Sequence, residues 1–338
     1  MLGQVFLFLG IVSLFASWLI KKNNNDNNYK NISDNTTTMK VMQYTAVPGY
    51  FYHDTEPEGP GYRARTHPDL GLLDRPYDTD SRFLNEISKL PRDQQAVTPQ
   101  DKWARFRYFL KYLNERGQGK VEWKLFYVVR HGEGDHNVKE KEVGRAEWER
   151  YWSRVDGDGL KNWSDAHLTD YGRQQASNLA PYVTRDRLCH PQSVYTSPLA
   201  RCLETTDIIY RRAMHDRYIR HAIIKENIRE RFGVHVCDRR STKSWIQSNY
   251  PWMRTEHGFS ERDELWKPDR RETVEEAAER ARSALHDIWE HDSNMFIAIT
   301  AHSGFVRALY SAVGHADVWL APGVMMPVLI KREVVDRK

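Results

Sequence analysis

Arg130-His131-Gly132 follows directly on the apolar run Leu125-Phe126-Tyr127-Val128-Val129. Such a run reads as a buried strand, and the glycine after it marks where the backbone turns, so the imidazole is delivered at a strand end. A neutral imidazole is a nucleophile, and the guanidinium beside it is a planar fork matched to phosphate oxygens. Three more stretches carry related chemistry. Tyr195-Thr196-Ser197-Pro198-Leu199-Ala200-Arg201 runs a strand into a helix whose first turn exposes amide N–H groups and holds Arg201, a suitable place for an anion. Glu226-Asn227-Ile228-Arg229-Glu230-Arg231-Phe232-Gly233 sets carboxylates among arginines. Ile299-Thr300-Ala301-His302-Ser303-Gly304 ends another apolar strand on a second histidine.

Brought together, these groups are what a two-step hydrolysis of a phosphate ester requires. His131 would attack phosphorus in line, while Arg130, Arg201, His302 and Asn137 hold the equatorial oxygens and Ser303 adds a hydroxyl beside the second histidine. Glu230 would protonate the departing alkoxide and then take a proton from the water that cleaves the phosphohistidine. Glu226 is the alternative acid. No cofactor is called for. His131, Glu133, Asp135 and His136 invite a metal reading, but no helical His-Glu-x-x-His spacing or cysteine pair accompanies them, and no metal is expected. Ser303 is not a serine nucleophile elbow, because Ala301 stands where the first glycine belongs. Arg239, Arg240, Lys243 and Trp245 either bind a second anionic part of the substrate or form a solvated face.

Positioning four such points needs a sheet whose strand ends share one crevice. From Val121 onward strand-like and helix-like pieces alternate, which predicts an α/β fold, a three-layer and mostly parallel sheet with helices on both faces. Strands are expected at Trp123 to Val129, Ser193 to Thr196, Ala222 to Ile224, Met295 to Thr300 and Val324 to Ile330. Helices are expected at Tyr171 to Leu188, Pro198 to Arg212 and Val274 to Glu290. Thr273 with Glu276 reads as a capping box for the last, and Ser197-Pro198 as N-cap and first-turn proline for the second. Ahead of this domain, 121–338, residues 41–120 read as an irregular extension packed on the core. Within it, Trp103, Phe106, Leu110 and Leu113 recur at helical spacing up to Gly117.

The motifs are specific in combination. Val129-Arg130-His131-Gly132-Glu133 with Asn137, then Leu168-Thr169-Asp170-Tyr171-Gly172-Arg173-Gln174-Gln175-Ala176, Tyr195 to Arg201, and Ala301-His302-Ser303-Gly304 together resemble the histidine phosphatase superfamily, the phosphoglycerate-mutase-like proteins. The resemblance runs from about Trp123 to about Lys331 and is strongest to the fungal phosphomutase-like members. It implies that His131 is the phosphorylated nucleophile, that Arg130, Arg201 and His302 bind phosphate, and that Glu230 donates the proton. Thr169 and Gly172 read as turn and cap residues. Sugar-phosphate mutases of this kind carry a long insert after the acid and a mobile tail over the site. Gly233 to Trp245 differs and little chain follows Ile330, so a phosphatase is expected before a phosphomutase or a non-catalytic phosphate-binding module. The acid-phosphatase branch would show a further Arg where this chain has Gly134-Asp135, and an Asp where it has Ser303.

The chain has 338 residues, 50 Lys and Arg against 46 Asp and Glu, and a formal charge of +4, so it is long enough for one large core but has no polycationic stretch for nucleic acid. Its 3 cysteines, Cys189, Cys202 and Cys237, are an odd number in a long chain and read as buried free thiols in reducing surroundings. Residues 2–20 are almost unbroken apolar sequence closed by Lys21 and Lys22, so 1–22 reads as a membrane anchor, or else as a signal segment. Lysines on that side would leave the catalytic domain facing the cytoplasm. The alternative is the secretory lumen, where Asn31-Ile32-Ser33, Asn35-Thr36-Thr37 and Asn162-Trp163-Ser164 would be glycosylation acceptors. The Asn-rich segment 23–40 between anchor and extension reads as a disordered tether. The expected partner is a small phosphorylated substrate.

Overall fold

The computed structural model describes residues 39–89, 98, 100–184, 188–215 and 220–337. The 2–20 segment and the Asn-rich residues up to Thr38 lie outside the described residues, and so does the anchor expected there. Among the described residues no helix is long and apolar enough to cross a membrane.

Alternating apolar runs and amphipathic stretches give strands β1 (Met39–Ala46), β2 (Val121–Arg130), β3 (Ser193–Thr196), β4 (Ala222–Ile224), β5 (Arg254–Thr255), β6 (Phe296–Ala301) and β7 (Met325–Arg337). The helices are α1 (Asp80–Ser88), α2 (Lys102–Gly117), α3 (Asp135–Val143), α4 (Arg145–Arg150), α5 (Asp170–Leu179), α6 (Ala200–His215), α7 (Lys243–Asn249), α8 (Val274–His291) and α9 (Ser303–Val313). The strands form one sheet in the order β1-β7-β2-β6-β3-β4-β5. The pairs β2–β6, β6–β3, β3–β4 and β4–β5 are parallel, and β2–β7 is antiparallel.

Strand side chains alternate between faces, and β2 shows how that builds three layers. Leu125, Tyr127 and Val129 enter an apolar cluster with Trp103, Phe106 and Leu110 of α2, Leu179 of α5 and Leu203 and Ile209 of α6. Phe126 and Val128 enter a second cluster with Ala281, Leu285 and Ile288 of α8 and Phe305 and Leu309 of α9. The fold is therefore an α/β sheet with helices on both faces, as the element pattern predicts. The aromatics ahead of the sheet belong to its core: Phe51, Trp103 and Phe106 are buried there.

Several local expectations need correction. β1 begins at Met39, inside the segment read as tether, and joins the sheet edge beside β7. β5, only 2 residues long, has no sequence signature. The helix read from Tyr171 to Leu188 stops at Leu179 and tightens to a 3₁₀ turn over Ala180–Val183, because Pro181 has no N–H to continue the α ladder. α6 starts at Ala200, whose N–H is taken by Asp165 Oδ1 at 2.8 Å, a carboxylate 35 residues away, while Ser197 Oγ accepts from Leu199 N–H at 3.4 Å, just ahead of the helix. The Thr273–Glu276 capping box is present at the start of α8.

Candidate active site

Four parallel strands end on one edge of the sheet, and hydrogen bonds fix the backbone immediately beyond them. His131 N–H donates to Ala301 O at 3.0 Å, Ser197 N–H to Thr300 O at 3.0 Å and Lys225 N–H to Thr196 O at 3.0 Å. The residues just past β2, β3, β4 and β6 are thereby held side by side, the crevice expected of such sheets. Their chemistry converges: the ring centroids of His131 and His302 are 5.0 Å apart, and Arg201 Nε donates to His131 Nε2 at 3.2 Å.

His131 is 2% exposed, and its Nδ1 faces Gly132 O at 2.7 Å. A carbonyl can only accept, so Nδ1 carries the ring proton and Nε2 keeps its lone pair on the side of Arg201. Burial holds the His131 pKa well below the usual histidine value, and the charges of Arg201, His136 and Arg130 push the same way. Nε2 is thus an unprotonated nitrogen at neutral pH.

Two guanidiniums flank it. Arg201 is buried; Nη1 donates to Cys237 O, and Nη2 donates to Asp238 Oδ1 at 2.7 Å. Burial is the largest influence and opposes its charge, but Asp238, Cys237 and Cys202 together outweigh it and the pKa is raised. Arg271 Nη1 also donates to Asp238, at 2.8 Å, and the two guanidiniums hold that carboxyl well below the usual range against the effect of its burial. Arg130 donates through Nη1 to Leu320 O at 2.7 Å, while its Nε is buried with no partner among the described residues. Burial lowers its pKa to about 10, so it stays charged at neutral pH.

His302 is fully buried, with Nε2 2.8 Å from Ser197 Oγ and 3.3 Å from Cys202 Sγ. It caps α9, and Ser303 opens that helix. Glu230 reaches the same helix start: Oε2 accepts from Gly304 N–H at 2.9 Å and Oε1 from Arg231 N–H at 2.9 Å. A Cβ on residue 304 would lie 1.8 Å from Glu230 Oε1, so only glycine leaves room for the carboxylate there. Asn137 uses Oδ1 to accept from Gly134 N–H at 3.0 Å, which leaves its NH₂ for an incoming oxygen.

Residues 126–327 match the family described as histidine phosphatase superfamily, branch 1. The chain belongs to this superfamily. A protein of Arthroderma benhamiae named "Probable phosphoglycerate mutase" is 37% identical over 303 residues, 86% of this chain and 85% of that protein. Phosphomutase-like protein 3 of Candida albicans is 35% identical over 62% of this chain and 66% of its own. The solved structure of a mycobacterial glucosyl-3-phosphoglycerate phosphatase aligns at TM-score 0.35 and 20% identity over 56% of this chain and 79% of that one.

In this member of the superfamily the structure separates some candidates from the pocket. Glu226, the alternative acid, is tied at 3.0 Å to Arg229 Nη1 and at 2.6 Å to Arg240 Nε. Arg240 is not available to a second anion: it is buried, lies over the Phe259 ring and donates to Ser260 O. Its charge is spent inside the loop because Glu226 sits opposite it. Arg239 pairs with Asp156 at 3.0 Å, and Trp245 packs edge-on against His167.

Other residues reach the pocket that sequence patterns do not single out. His136, which from sequence invites only a metal reading, is buried with its ring 5.7 Å from that of His131 and Nδ1 unpartnered among the described residues. Asp238 anchors Arg201, and nothing in its spacing shows that; the available signal is that a buried guanidinium requires a counter-charge. Gly172 is more than a cap residue: a Cβ on Gly132 would meet Gly172 O at 2.3 Å, and one on Gly172 would meet Glu133 O at 2.1 Å. The N-terminal extension also touches the rim, where Ala64 N–H donates to Trp319 O at 2.8 Å next to the carbonyl that receives Arg130.

The three buried rings carry a pH consequence. His131, His136 and His302 all have pKa values held well below 6.5, first by burial and then by Arg201. Below about pH 6.5 the unfolded chain binds protons that the folded pocket refuses, so stability falls as pH falls, by up to about 1.4 kcal/mol per pH unit for each ring. Calorimetry between pH 7.5 and 5.5 should show a steep loss of Tm that saturating inorganic phosphate reduces, since an anion beside the rings favours their protonation. A Tm unchanged across that interval contradicts the assignment.

Proposed function

We propose that this histidine phosphatase hydrolyses phosphate monoesters of small molecules through a phosphohistidine on His131 Nε2, with no metal in the reaction. The observation that carries the reading is the Nδ1 contact to Gly132 O, which leaves Nε2 unprotonated against the Arg201 guanidinium. In the first step the Nε2–P bond forms and the ester P–O bond breaks, with Glu230 giving its proton to the leaving oxygen. In the second, water attacks phosphorus, Glu230 takes its proton and the N–P bond breaks. Arg130 and Arg201, with His302, His136 and the NH₂ of Asn137, face the phosphoryl oxygens, whose charge shifts in a loose transition state. Guanidiniums fixed beside buried rings meet that charge with little reorganisation.

Water as acceptor is favoured by the course of the chain beyond the site. β7 leaves the pocket at Met325, paired with Val129, and runs antiparallel to the far end of β2, where Glu333 faces Val121. Those residues are committed to the sheet and do not cover the pocket. The names of the Arthroderma and Candida relatives support phosphomutase as the second reading, in which the phosphohistidine gives PO₃ to an alcohol. Rapid quenching with a radiolabelled aryl phosphate separates the readings. The expected result is a label stable to alkali and labile to acid, followed by inorganic phosphate release without any alcohol present. A label that discharges only when an alcohol is added assigns a mutase, and no label at all leaves a binding module.

A further inference from the structure

Just past the C-terminal end of α9, the helix that begins after His302, three potential ligand atoms meet where no role has been assigned. We propose that His53 Nε2, His315 Nε2 and Asp54 Oδ1 bind a zinc-class divalent cation that staples the N-terminal extension to the loop after α9. The three ligand atoms lie within 4.8 Å of one another. Asp54 Oδ1 is 3.5 Å from His53 Nε2 and 3.8 Å from His315 Nε2. With Zn–N and Zn–O bonds of about 2.0–2.1 Å, tetrahedral ligands stand about 3.3 Å apart, so these separations need little adjustment.

The surroundings of each ligand fit the assignment. His315 Nδ1 faces Ala316 O at 2.8 Å, so it carries the proton and Nε2 has the lone pair. His53 is 1% exposed, its Nε2 has no hydrogen-bond partner among the described residues, and its ring bonds to the Pro327 carbonyl. Histidine held through one nitrogen by a carbonyl, with the other aimed at a shared point, is the usual outer-shell arrangement of metal-binding imidazoles. Asp54 is fixed from behind, where Oδ2 accepts from Gly49, Tyr50 and Phe51 N–H at 2.7, 3.0 and 3.0 Å. Its Oδ1 therefore faces an Nε2 of each ring, and with both rings neutral and protonated on their carbonyl sides that arrangement is repulsive until a cation or a proton shared with His315 enters. Two imidazoles and a carboxylate, with water in the fourth position, suit zinc. Among the described residues the other cluster of this kind, His235, Cys237 and Asp238, does not qualify, because Arg201 and Arg271 already neutralise Asp238.

The full chain, purified without a polyhistidine tag and stripped with a chelator, is titrated with Zn²⁺ by calorimetry and with Co²⁺ by visible absorption. One equivalent of Zn²⁺, a tetrahedral Co²⁺ band and a Tm rise of roughly 5 °C at a hundredfold excess over Kd are expected. His53→Gln, His315→Gln and Asp54→Asn should each lose that equivalent, while His131→Ala keeps it, which separates this site from the catalytic pocket. Wild-type chain that shows neither the Co²⁺ band nor a Zn²⁺ equivalent overturns the proposal, whether or not the variants fold. So does an equivalent that survives in a folded His315→Gln, and a proton shared between His315 and Asp54 is then the reading that stands.

Discussion

If the proposed mechanism holds, His131→Ala should eliminate the acid-labile phosphoenzyme and lower kcat/KM by a factor on the order of 10⁵, the scale seen when a covalent nucleophile is removed from a site whose other groups remain. The expectation follows from the position of Nε2. Arg201 Nε contacts it at 3.2 Å, and His302 and His136 surround it within 5.7 Å between ring centroids, so the pocket is organised around that atom. Residual activity should come from water attacking an ester still held by the guanidiniums. The fold should survive, because the lost ring is a neutral group forced into burial between charges, and its removal relieves part of that cost. Quench labelling with circular dichroism checks both halves. Turnover within tenfold of the parent, in a folded variant, would remove His131 from the chemistry.

Gly304→Ala should reproduce the loss caused by Glu230→Gln while leaving the fold as stable as before or more so. The new methyl would stand 1.8 Å from Glu230 Oε1, the tip of a flexible side chain, so the carboxylate swings away and no backbone moves. Ala within a helix gains roughly 0.5–1 kcal/mol over Gly. Catalysis loses what the helix gains. Displacing the general acid should slow alkyl phosphates on the order of 10²–10³-fold and nitrophenyl phosphate only a few-fold, because a good leaving group needs little protonation. The paired measurement is Tm with kcat/KM on both substrates. Equal losses on both esters would indicate that Glu230 positions the phosphoryl group and does not carry the proton.

How much of this is written in the sequence depends on the range of the interaction. β2, β3, β4 and β6 can be placed within a residue or two because a buried parallel strand must be continuously apolar. The histidines and arginines at their ends come with that placement. β1, Met-Lys-Val-Met-Gln-Tyr-Thr-Ala, is half polar, and only β7 beside it makes it a strand. Partners distant in sequence are out of reach altogether. Ser197 has every local mark of a helix cap, yet its hydroxyl reaches only Leu199 N–H and also serves His302, and Asp165 takes the first N–H of α6. Arg240 looks like a surface cation until Glu226 is seen beside it. Glu230 is legible from its neighbours in sequence; that it rests on the amide of Gly304 is not, since the two lie 74 positions apart.

The interlock of Gly132 with Gly172 ties two positions forty residues apart into a single unit of inheritance. Each would collide with main-chain atoms of the other loop, so no compensating side-chain change elsewhere relieves an alanine at either one. In a randomised library screened only for soluble expression, both positions should come back as glycine in every survivor, including clones that have lost all turnover.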